Sequence, residues 1–294
     1  MTGLALPGAR PFGQMQRGLI GSLLIAATML LSSCAQLPPA PPGQLVPFSA
    51  ARPGATYPGG WRTLAFSKFR KETRYTLVDD CGTTVVEARA EASSSGLVVP
   101  VDIDPAKYRW LTWRWKVAQL VPGADNTRRE TEDAPARIEI SFDGDSKKLT
   151  IGDRLWAAQV KALASIDLPY ATLEYVWGEG APKETVIENT WTARIRMLLV
   201  ESGPGRVGEW VTETRNVYED YQRVFGEAPE RITAVGIITD TDATGAKAEA
   251  YYGDIGFFAE KPANGAGGEV ASMSGAARAP GDHLQGLDCP AQGK

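Results

Sequence analysis

The chain has 294 residues, with 31 basic and 35 acidic side chains and a formal net charge of −4 at pH 7. This acidic balance argues against a nucleic-acid partner and against electrostatic docking onto anionic lipid. The one histidine, His283, falls in a tail rich in glycine and alanine. Its position excludes Ser-His-Asp, Cys-His and histidine-rich zinc sites from the folded body.

The first 33 residues predict a secretory signal peptide. Arg10 and Arg17 precede an apolar run, Leu19–Leu31, and small residues follow that run. The run is too short for a transmembrane anchor, because a spanning helix needs about 20 apolar residues. A signal peptide that is not cleaved at its cysteine is the alternative.

The end of this segment, Leu31-Ser32-Ser33-Cys34, resembles the lipobox of bacterial lipoproteins. In those proteins the cysteine takes a diacylglycerol thioether and becomes the new N-terminus. Several acyl chains on Cys34, palmitate among them, would anchor the protein stably. Glutamine rather than aspartate follows Ala35, at position 36. An aspartate near the cysteine would favour retention in the inner membrane, so Gln36 favours the outer membrane. We therefore expect an outer-membrane lipoprotein of the cell envelope that faces the periplasm.

Composition divides the rest of the chain into three zones. Residues 34–58 are rich in proline, glycine and alanine, a composition that favours extended conformations and predicts a stalk. Residues 59–261 have the length and composition of one globular domain. Residues 262–294 return to glycine, alanine, serine and proline, which predicts a disordered tail. In the oxidising envelope Cys81 and Cys289 can form a disulfide, and two unpaired thiols are the alternative.

Short alternating segments with turn residues between them predict an all-β domain, a jelly roll or β-sandwich, rather than a parallel sheet. The predicted strands are Arg74–Asp80, Thr83–Ala90, Leu111–Val117, Ala136–Phe142, Thr172–Trp177, Ala193–Val200, Trp210–Thr214, Ile232–Thr239 and Ala250–Phe258.

Two short helices are expected at the periphery of the sandwich. Asp153 can cap the first, with Pro169 beyond its end. Asn216 caps the second in a capping-box pattern, and Gly226 ends it.

Four segments with characteristic order and spacing resemble an uncharacterised bacterial family, domain-of-unknown-function family 3047. The resemblance extends from about Trp61 to Phe258. It implies an envelope protein whose jelly roll is similar to galactose-binding-like modules, and it implies no activity and no catalytic residues. The segments are Leu111–Val117, Leu168–Trp177, Thr214–Phe225 and Ile238–Ile255.

The segment Asp240–Gly245 places oxygen ligands at alternate positions of a tight loop, which suits a structural calcium ion. Asp240 and Asp242 are the expected ligands, and Asp254 is a further candidate. The pattern then departs from an EF-hand, because Tyr251 stands where a bidentate glutamate would be. The alternative is a hairpin loop whose aspartates bind their own backbone.

Two groups of residues are candidates for ligand binding. Arg114, Arg137 and Glu139 would form a polar groove if their strand faces coincide. The loop after the strand Thr172–Trp177 is the second place, bordered by Trp177 and Trp191 and carrying Glu179. Trp113 and Trp115 alternate with polar residues and are expected in the core instead.

Glycoside hydrolysis requires two carboxyl groups across a cleft. By position alone, the candidates are Glu139, Glu174, Glu179, Asp240 and Asp242. We therefore expect a lipid-anchored envelope protein that binds a polysaccharide without turning it over. A glycan hydrolase that uses paired carboxylates and a scaffold for other envelope proteins are the two alternatives.

Overall fold

A computed structural model describes residues 45–262, apart from residues 68, 165, 190 and 191 and the side chains of residues 163 and 164. Two β-sheets pack face to face in a jelly-roll sandwich, as the alternating segments predicted. The twelve strands are β1 (Arg62–Ala65), β2 (Arg74–Asp80), β3 (Thr83–Glu91), β4 (Ser94–Ile103), β5 (Trp110–Gln119), β6 (Ala134–Phe142), β7 (Ala171–Gly178), β8 (Val186–Glu188), β9 (Ile195–Ser202), β10 (Val211–Asn216), β11 (Ile232–Asp240) and β12 (Lys247–Phe258).

The two sheets differ in width. The seven-stranded sheet has the order β1-β4-β11-β6-β7-β9-β8, and the five-stranded sheet has the order β10-β5-β12-β3-β2. All strand pairs are antiparallel except β7 and β9, which run parallel with the edge strand β8 on the far side of β9. The strands β11, β6 and β7 lie in the middle of the wider sheet, with hydrogen-bonded neighbours on both sides.

Large aromatic side chains fill the space between the sheets. Trp113 and Trp115 are 1% and 0% exposed, as expected from the alternation along β5. Trp113 meets the ring of Trp115 edge-on at 5.4 Å and the ring of Tyr175, on the facing sheet, at 5.1 Å. Such aromatic contacts each add roughly 0.5–1.5 kcal/mol beyond the burial of their area.

Two α-helices and four short 3-10 helices accompany the strands in the described part of the chain. Helix α1 covers Ile151–Ala164 and helix α2 covers Val217–Phe225. None of the described helices is long and apolar enough to cross a membrane. The 3-10 helices are Phe48–Ala50, Arg129–Thr131, Ser146–Lys148 and Pro204–Arg206.

The second helix agrees with its sequence signature, whereas the first begins earlier than expected. Asn216 accepts a hydrogen bond from the Glu219 backbone at 3.2 Å, and Gly226 ends α2 with a φ of 74°. In α1 the cap is Thr150, because its hydroxyl accepts from the backbone N–H of Asp153 at 3.1 Å and the Asp153 carboxylate accepts from Thr150 in return. Asp153 is thus the third residue of a capping box rather than the cap.

Part of the segment predicted as a stalk packs on the sandwich. Phe48 is 1% exposed and lies 4.9 Å from the ring of Trp61. Ser49 donates from its backbone and its hydroxyl to Asp254 on β12, at 2.9 and 2.6 Å. The apolar Leu45 and Phe48 explain the difference from a solvated stalk, because their burial favours contact with the core.

A two-residue turn joins β2 to β3. Cys81 and Gly82 have φ values of 56° and 81°, and positive φ at both central positions is typical of a type I′ hairpin. Cys81 is disulfide-bonded, so the interpretation of two unpaired thiols is wrong for this residue. The other cysteines of the chain, Cys34 and Cys289, lie outside the described residues.

Glu213 occupies the inner face of β10 at the edge of the sandwich, directly opposite Trp113 in the strand register. Its Oε1 atom is buried without a hydrogen-bond partner. Burial and the charge of Glu201 raise the pKa of Glu213 to about 7, against the opposing charges of Lys183, Arg215 and Arg206. The folded protein therefore favours the protonated form of this carboxyl group.

A carboxyl group whose pKa is raised on folding stabilises the fold while it is protonated. This contribution is complete below about pH 4.5 and is lost as the pH rises through 7. We expect Glu213→Gln to remove this loss, which is at most about 3 kcal/mol. Urea unfolding between pH 5 and 8 measures it, with the exposed Glu209→Gln as the control. Equal pH dependence in wild type and Glu213→Gln would contradict the prediction.

Candidate functional site on the outer face of the seven-stranded sheet

Alternation along the central strands places polar side chains on the outer face of the seven-stranded sheet. Ile138 and Ile140 of β6 point into the core, which turns Arg137 and Glu139 outward. Glu139 stands directly opposite Glu174 of β7 in the register. Residues directly opposite on adjacent antiparallel strands have Cβ atoms about 4.5–5.5 Å apart. The two side chains are therefore neighbours on this face and are called here the Glu139–Glu174 pair.

The same register line continues across the neighbouring strands. Gly236 of β11 lies beside Glu139, and Met197 of β9 lies beside Glu174. A Cβ atom on Gly236 would stand 3.4 Å from the Glu139 Cβ and 3.5 Å from its Oε2. The Glu139 side chain thus lies against Gly236, which has no side chain of its own, whereas Met197, 1% exposed, lies on the β9 side of Glu174.

The guanidinium group of Arg137 organises the carboxylates next to the pair. Its side chain is 4% exposed, and Nη1 donates to Glu174 at 2.8 Å. Nε and Nη2 each donate to Asp240 at 3.3 Å, and Nη2 also donates to the carbonyl of Glu132 at 2.9 Å. Burial by itself lowers the pKa of Arg137, but the charges of Asp240, Glu174 and Glu132 outweigh it and raise the pKa.

The two members of the pair have different surroundings. Glu174 is ion-paired with Arg137, whereas none of the ion pairs between described residues involves Glu139. Burial and the charge of Glu174 raise the pKa of Glu139 to about 7, although a hydrogen bond with Ser141 and the charge of Arg137 act in the opposite direction. Burial therefore favours the protonated form of Glu139, whereas Glu174 is held by Arg137.

A cavity of about 210 Å³ opens beside this face, between α1 and the first residues of β7 and β9. Thr172 lines it and lies two residues before Glu174 on the same face of β7. Two aromatic rings, Trp156 of α1 and Tyr170, contribute to its wall. The cavity, called here the helix cavity, is smaller than the ~300–1,000 Å³ pockets that enclose whole drug-sized ligands. It suits one unit of a longer ligand.

Several contacts hold Tyr170 in the wall of the helix cavity. The Arg194 guanidinium lies 3.9 Å from the centre of its ring, and its hydroxyl donates to Glu227 at 2.9 Å. Arg194 itself is ion-paired with Glu227 at 2.9 Å. A Cβ atom on Gly144 would lie 2.2 Å from the ring, so only glycine fits against it. The aromatic wall is therefore a fixed surface.

The aspartates predicted to bind calcium lie at one end of β11. Oxygen atoms of Asp133, Asp240 and Asp242 lie within 4.8 Å of one another. Asp133 accepts from the backbone of Ala243 and from the backbone and hydroxyl of Thr244, between 2.7 and 3.1 Å. Asp240 pairs with Arg137, and Asp242 pairs with Arg70.

Each of the three carboxylates thus already has a hydrogen-bond donor or a cation of the protein beside it. The arrangement favours a loop held by hydrogen bonds and ion pairs, which was the alternative to calcium in the sequence. Asp254 does not belong to this group, because it lies on β12 in the other sheet and is bound by Ser49. The calcium site stays a prediction.

Arg137 and Glu139, both predicted to bind ligand, lie on the same face of β6. Arg114 is in β5 of the five-stranded sheet, where it lies over the ring of Trp210 at 4.5 Å. A groove that combines Arg114 with Arg137 and Glu139 is therefore wrong, because the strands that carry them belong to opposite sheets. The sequence could not show which strands share a sheet.

The loop after β7 does not expose Trp177. Its side chain is 0% exposed, faces inward with Leu173 and Tyr175, and donates from Nε1 to the carbonyl of Gly203 at 3.2 Å. The prediction that Trp177 binds ligand is therefore wrong. Glu179 follows Trp177 by two residues, and its backbone N–H donates to the Asn126 side chain at 2.8 Å. Trp191 lies outside the described residues.

Nothing in the sequence distinguishes Glu174 from the four other candidate acids, and the helix cavity was not predicted. The register between β6 and β7, which pairs Glu174 with Glu139, depends on side chains distant in sequence. The local sequence did indicate that Glu139 and Glu174 each alternate with core residues. The cavity depends on how α1 lies against β7 and β9, for which the sequence carries no local pattern.

A family model described as "Protein of unknown function (DUF3047)" matches residues 59–256. The chain belongs to this family. The resemblance of the four sequence segments is thus confirmed. No curated protein matches the chain.

Solved structures with similar folds show low identity. The Endo-D glycoside hydrolase domain of Streptococcus pneumoniae R6 has 6% identity and a TM-score of 0.30, and the match covers 68% of this chain but 22% of that chain. The xyloglucanase domain of a type three effector from Sinorhizobium fredii, in complex with cellobiose, has 6% identity and a TM-score of 0.37. This match covers 67% of this chain and 92% of that chain. The family 30 carbohydrate-binding module of a Clostridium thermocellum cellulase has 10% identity and a TM-score of 0.31. This match covers 75% of this chain and 95% of that chain. At these values the similarity carries no argument about activity.

The Arg137 network generates a stability prediction. We expect Arg137→Met to cost about 3–5 kcal/mol in the free energy of unfolding, because it leaves Asp240 and Glu174 buried without their cation. Arg89→Met is the matched control, since Arg89 is 56% exposed and its pairs with Glu87 and Glu249 are worth less than about 1 kcal/mol. Urea unfolding at pH 7 measures both variants. Similar losses for the two would refute the central role of Arg137.

Proposed function

We propose that this protein binds a polysaccharide on the outer face of its seven-stranded sheet. The observation that carries the proposal is that the Glu139–Glu174 pair and the helix cavity, with its two aromatic rings, lie beside each other on this face. Glu139 and Glu174 can accept or donate hydrogen bonds to sugar hydroxyls, and the rings of Trp156 and Tyr170 offer apolar surface to the C–H faces of a pyranose.

The charges around the site favour a neutral glycan. Glu139, Glu174, Asp143 and Asp153 lie on or beside the surface. The cations Arg137 and Arg194 are already paired with carboxylates of the protein. A polyanionic glycan, such as a uronate polymer, would meet net negative charge, which disfavours its binding.

We also propose that Cys34 carries the lipid that attaches the protein to the outer membrane. The support is the basic start, the short apolar run and the Leu31-Ser32-Ser33-Cys34 sequence. Acylation of Cys34 would make Cys289 the partner available to Cys81 within one chain, because the chain has three cysteines. The two proposals fit together, since an envelope protein meets glycans at its site of attachment.

Binding is tested with full-length protein purified in detergent, by affinity electrophoresis and calorimetry. The panel contains neutral β-glucan, xyloglucan, chitin oligosaccharides and alginate, each with calcium and with chelator. We expect at least one neutral glycan to bind and alginate to remain unbound. We expect Trp156→Ala to weaken binding at least tenfold, because it removes one aromatic wall of the helix cavity.

Leu155→Ala is the matched control for Trp156→Ala. Leu155 is the adjacent residue of α1, is 67% exposed and does not line the helix cavity, so its affinity should equal that of the wild type. Absence of binding to every neutral glycan at millimolar concentration would refute the proposal. Binding that requires calcium would support the Asp240–Gly245 loop as a metal site.

Anchoring is tested by Cys34→Ser. We expect the variant to leave the membrane fraction or to accumulate as its precursor, because serine cannot form the thioether. Cell fractionation with immunoblotting measures both results, and Cys289→Ser is the control that keeps the lipidation site. Normal processing and membrane retention of Cys34→Ser would contradict the lipoprotein proposal.

A further inference from the structure

The outer face of the five-stranded sheet carries a cation whose hydrogen-bond donors have no acceptor in the described part of the chain. Trp113 and Trp115 point into the core, which turns Arg114 outward. Its guanidinium group lies over the ring of Trp210 at 4.5 Å. No oxygen atom of a described residue accepts a hydrogen bond from it. A half-buried guanidinium group has five N–H donors and normally finds acceptors.

The surroundings of Arg114 hold its side chain in place without neutralising it. Gly253 of β12 lies under the side chain, and a Cβ atom there would stand 2.5 Å from the Arg114 Nε atom. Lys116, two residues further along β5, is ion-paired with Asp80 at 3.1 Å. Arg114 has no such carboxylate among the described residues. The face therefore presents one fixed cation with room for an anionic partner.

The hairpin that joins β2 to β3 reaches the same place. The Asp80 carboxylate accepts from Nε1 of Trp210 at 2.5 Å. Cys81 is the next residue and is disulfide-bonded, and consecutive Cα atoms are about 3.8 Å apart. The Cα atoms of disulfide-bonded cysteines usually lie about 4.4–6.8 Å apart. The cysteine that pairs with Cys81 is therefore brought close to the ring on which Arg114 lies.

The C-terminal tail begins on this face as well. The Lys261 ammonium lies over the ring of Trp110 at 5.1 Å. Trp110 is four residues before Arg114 on the same face of β5, roughly 13 Å away along the strand. Residues 263–288 connect this point to Cys289, and a segment of that length can return to the hairpin. The residue before Cys289 is an acid, Asp288.

We propose that Asp288 binds the guanidinium group of Arg114, so that the end of the tail lies on the outer face of the five-stranded sheet, held by a Cys81–Cys289 disulfide. The inference rests on the proposed lipidation of Cys34, which leaves Cys289 as the partner of Cys81. A carboxylate matches the charge of Arg114 and can accept two parallel hydrogen bonds from it. The tail then lies on the sheet opposite the proposed glycan site and leaves that site uncovered.

The first experiment identifies the disulfide. Full-length protein purified in detergent is digested without reduction, and the linked peptides are identified by mass spectrometry. We expect Cys81 linked to Cys289. A link between Cys81 and Cys34 would overturn this inference together with the lipidation proposal. A link to Cys289 keeps the lipidation proposal and leaves the contact with Arg114 to the second experiment.

The second experiment measures how strongly the folded protein favours its disulfide in glutathione buffers, where two glutathione thiols reduce it to two cysteine thiols and form glutathione disulfide. The Asp288–Arg114 contact raises the local concentration of Cys289 beside Cys81. Arg114→Gln and Asp288→Asn should therefore each shift the equilibrium toward the thiols by roughly three- to tenfold. The double variant should shift it no further than either single variant, because both substitutions remove one contact.

Matched controls carry the same charge changes elsewhere. Arg74→Gln removes an exposed cation of β2 on the same face, six residues before Asp80, and Asp282→Asn removes another acid of the tail. Both should leave the equilibrium as in the wild type, and urea unfolding shows whether each variant is folded. Additive effects in the double variant, as expected if Arg114 binds another anion instead, would overturn the inference, as would shifts equal to those of the controls.

Hydrogen exchange gives an independent readout of the docked tail. In the oxidised wild type the backbone amides of Leu287, Asp288 and Cys289 should exchange more slowly than those of the same residues in Asp288→Asn, which keeps the disulfide. Glycan binding by Asp288→Asn should equal that of the wild type, because the tail lies on the other sheet. Equal exchange in the two oxidised proteins would overturn the contact and leave both earlier proposals intact.

Discussion

One buried cation determines the character of the outer face. The guanidinium of Arg137 is 4% exposed and lies among the carboxylates of Glu174, Asp240 and Glu132. Removing a charge from water costs several kcal/mol, so this arginine is tolerated only because its donors are occupied. The same contacts bind the end of β11 to β6 through Asp240 and fix the orientation of the Glu174 side chain. Loss of this one charge would therefore disturb both the loop of aspartates and the candidate site.

The consequence for chemistry is an asymmetry between neighbours. Glu139 and Glu174 occupy equivalent positions on adjacent strands, but the cation reaches only one of them directly. A flat sheet offers no cleft, and here the recess arises where α1 lies beside the first residues of β7 and β9. Central strands supply rigidity, which a site needs if it must hold two groups within a fraction of an ångström.

The sequence predicted what depends on neighbours in the chain. Nine strands and α2 were predicted from alternation and from capping residues. The observed bounds of β2 are the same as the predicted ones. Three strands were missed: β1 and β8 are short edges, and β4 is interrupted by glycine and proline. Of the site, the sequence could predict that Arg137 and Glu139 lie on one strand. Their separation from Arg114 and the position of Glu174 opposite Glu139 depend on the order of strands in the sheets, which local sequence does not show.

The packing of Phe48 and Ser49 on the sandwich has a consequence for reach. The described chain becomes part of the domain at Leu45, eleven residues after the proposed acylated cysteine. Even a fully extended segment of that length spans no more than about 40 Å. A lipid-anchored protein of this kind would therefore search a thin layer next to its own bilayer, and the polymers it can contact are those that come within that layer.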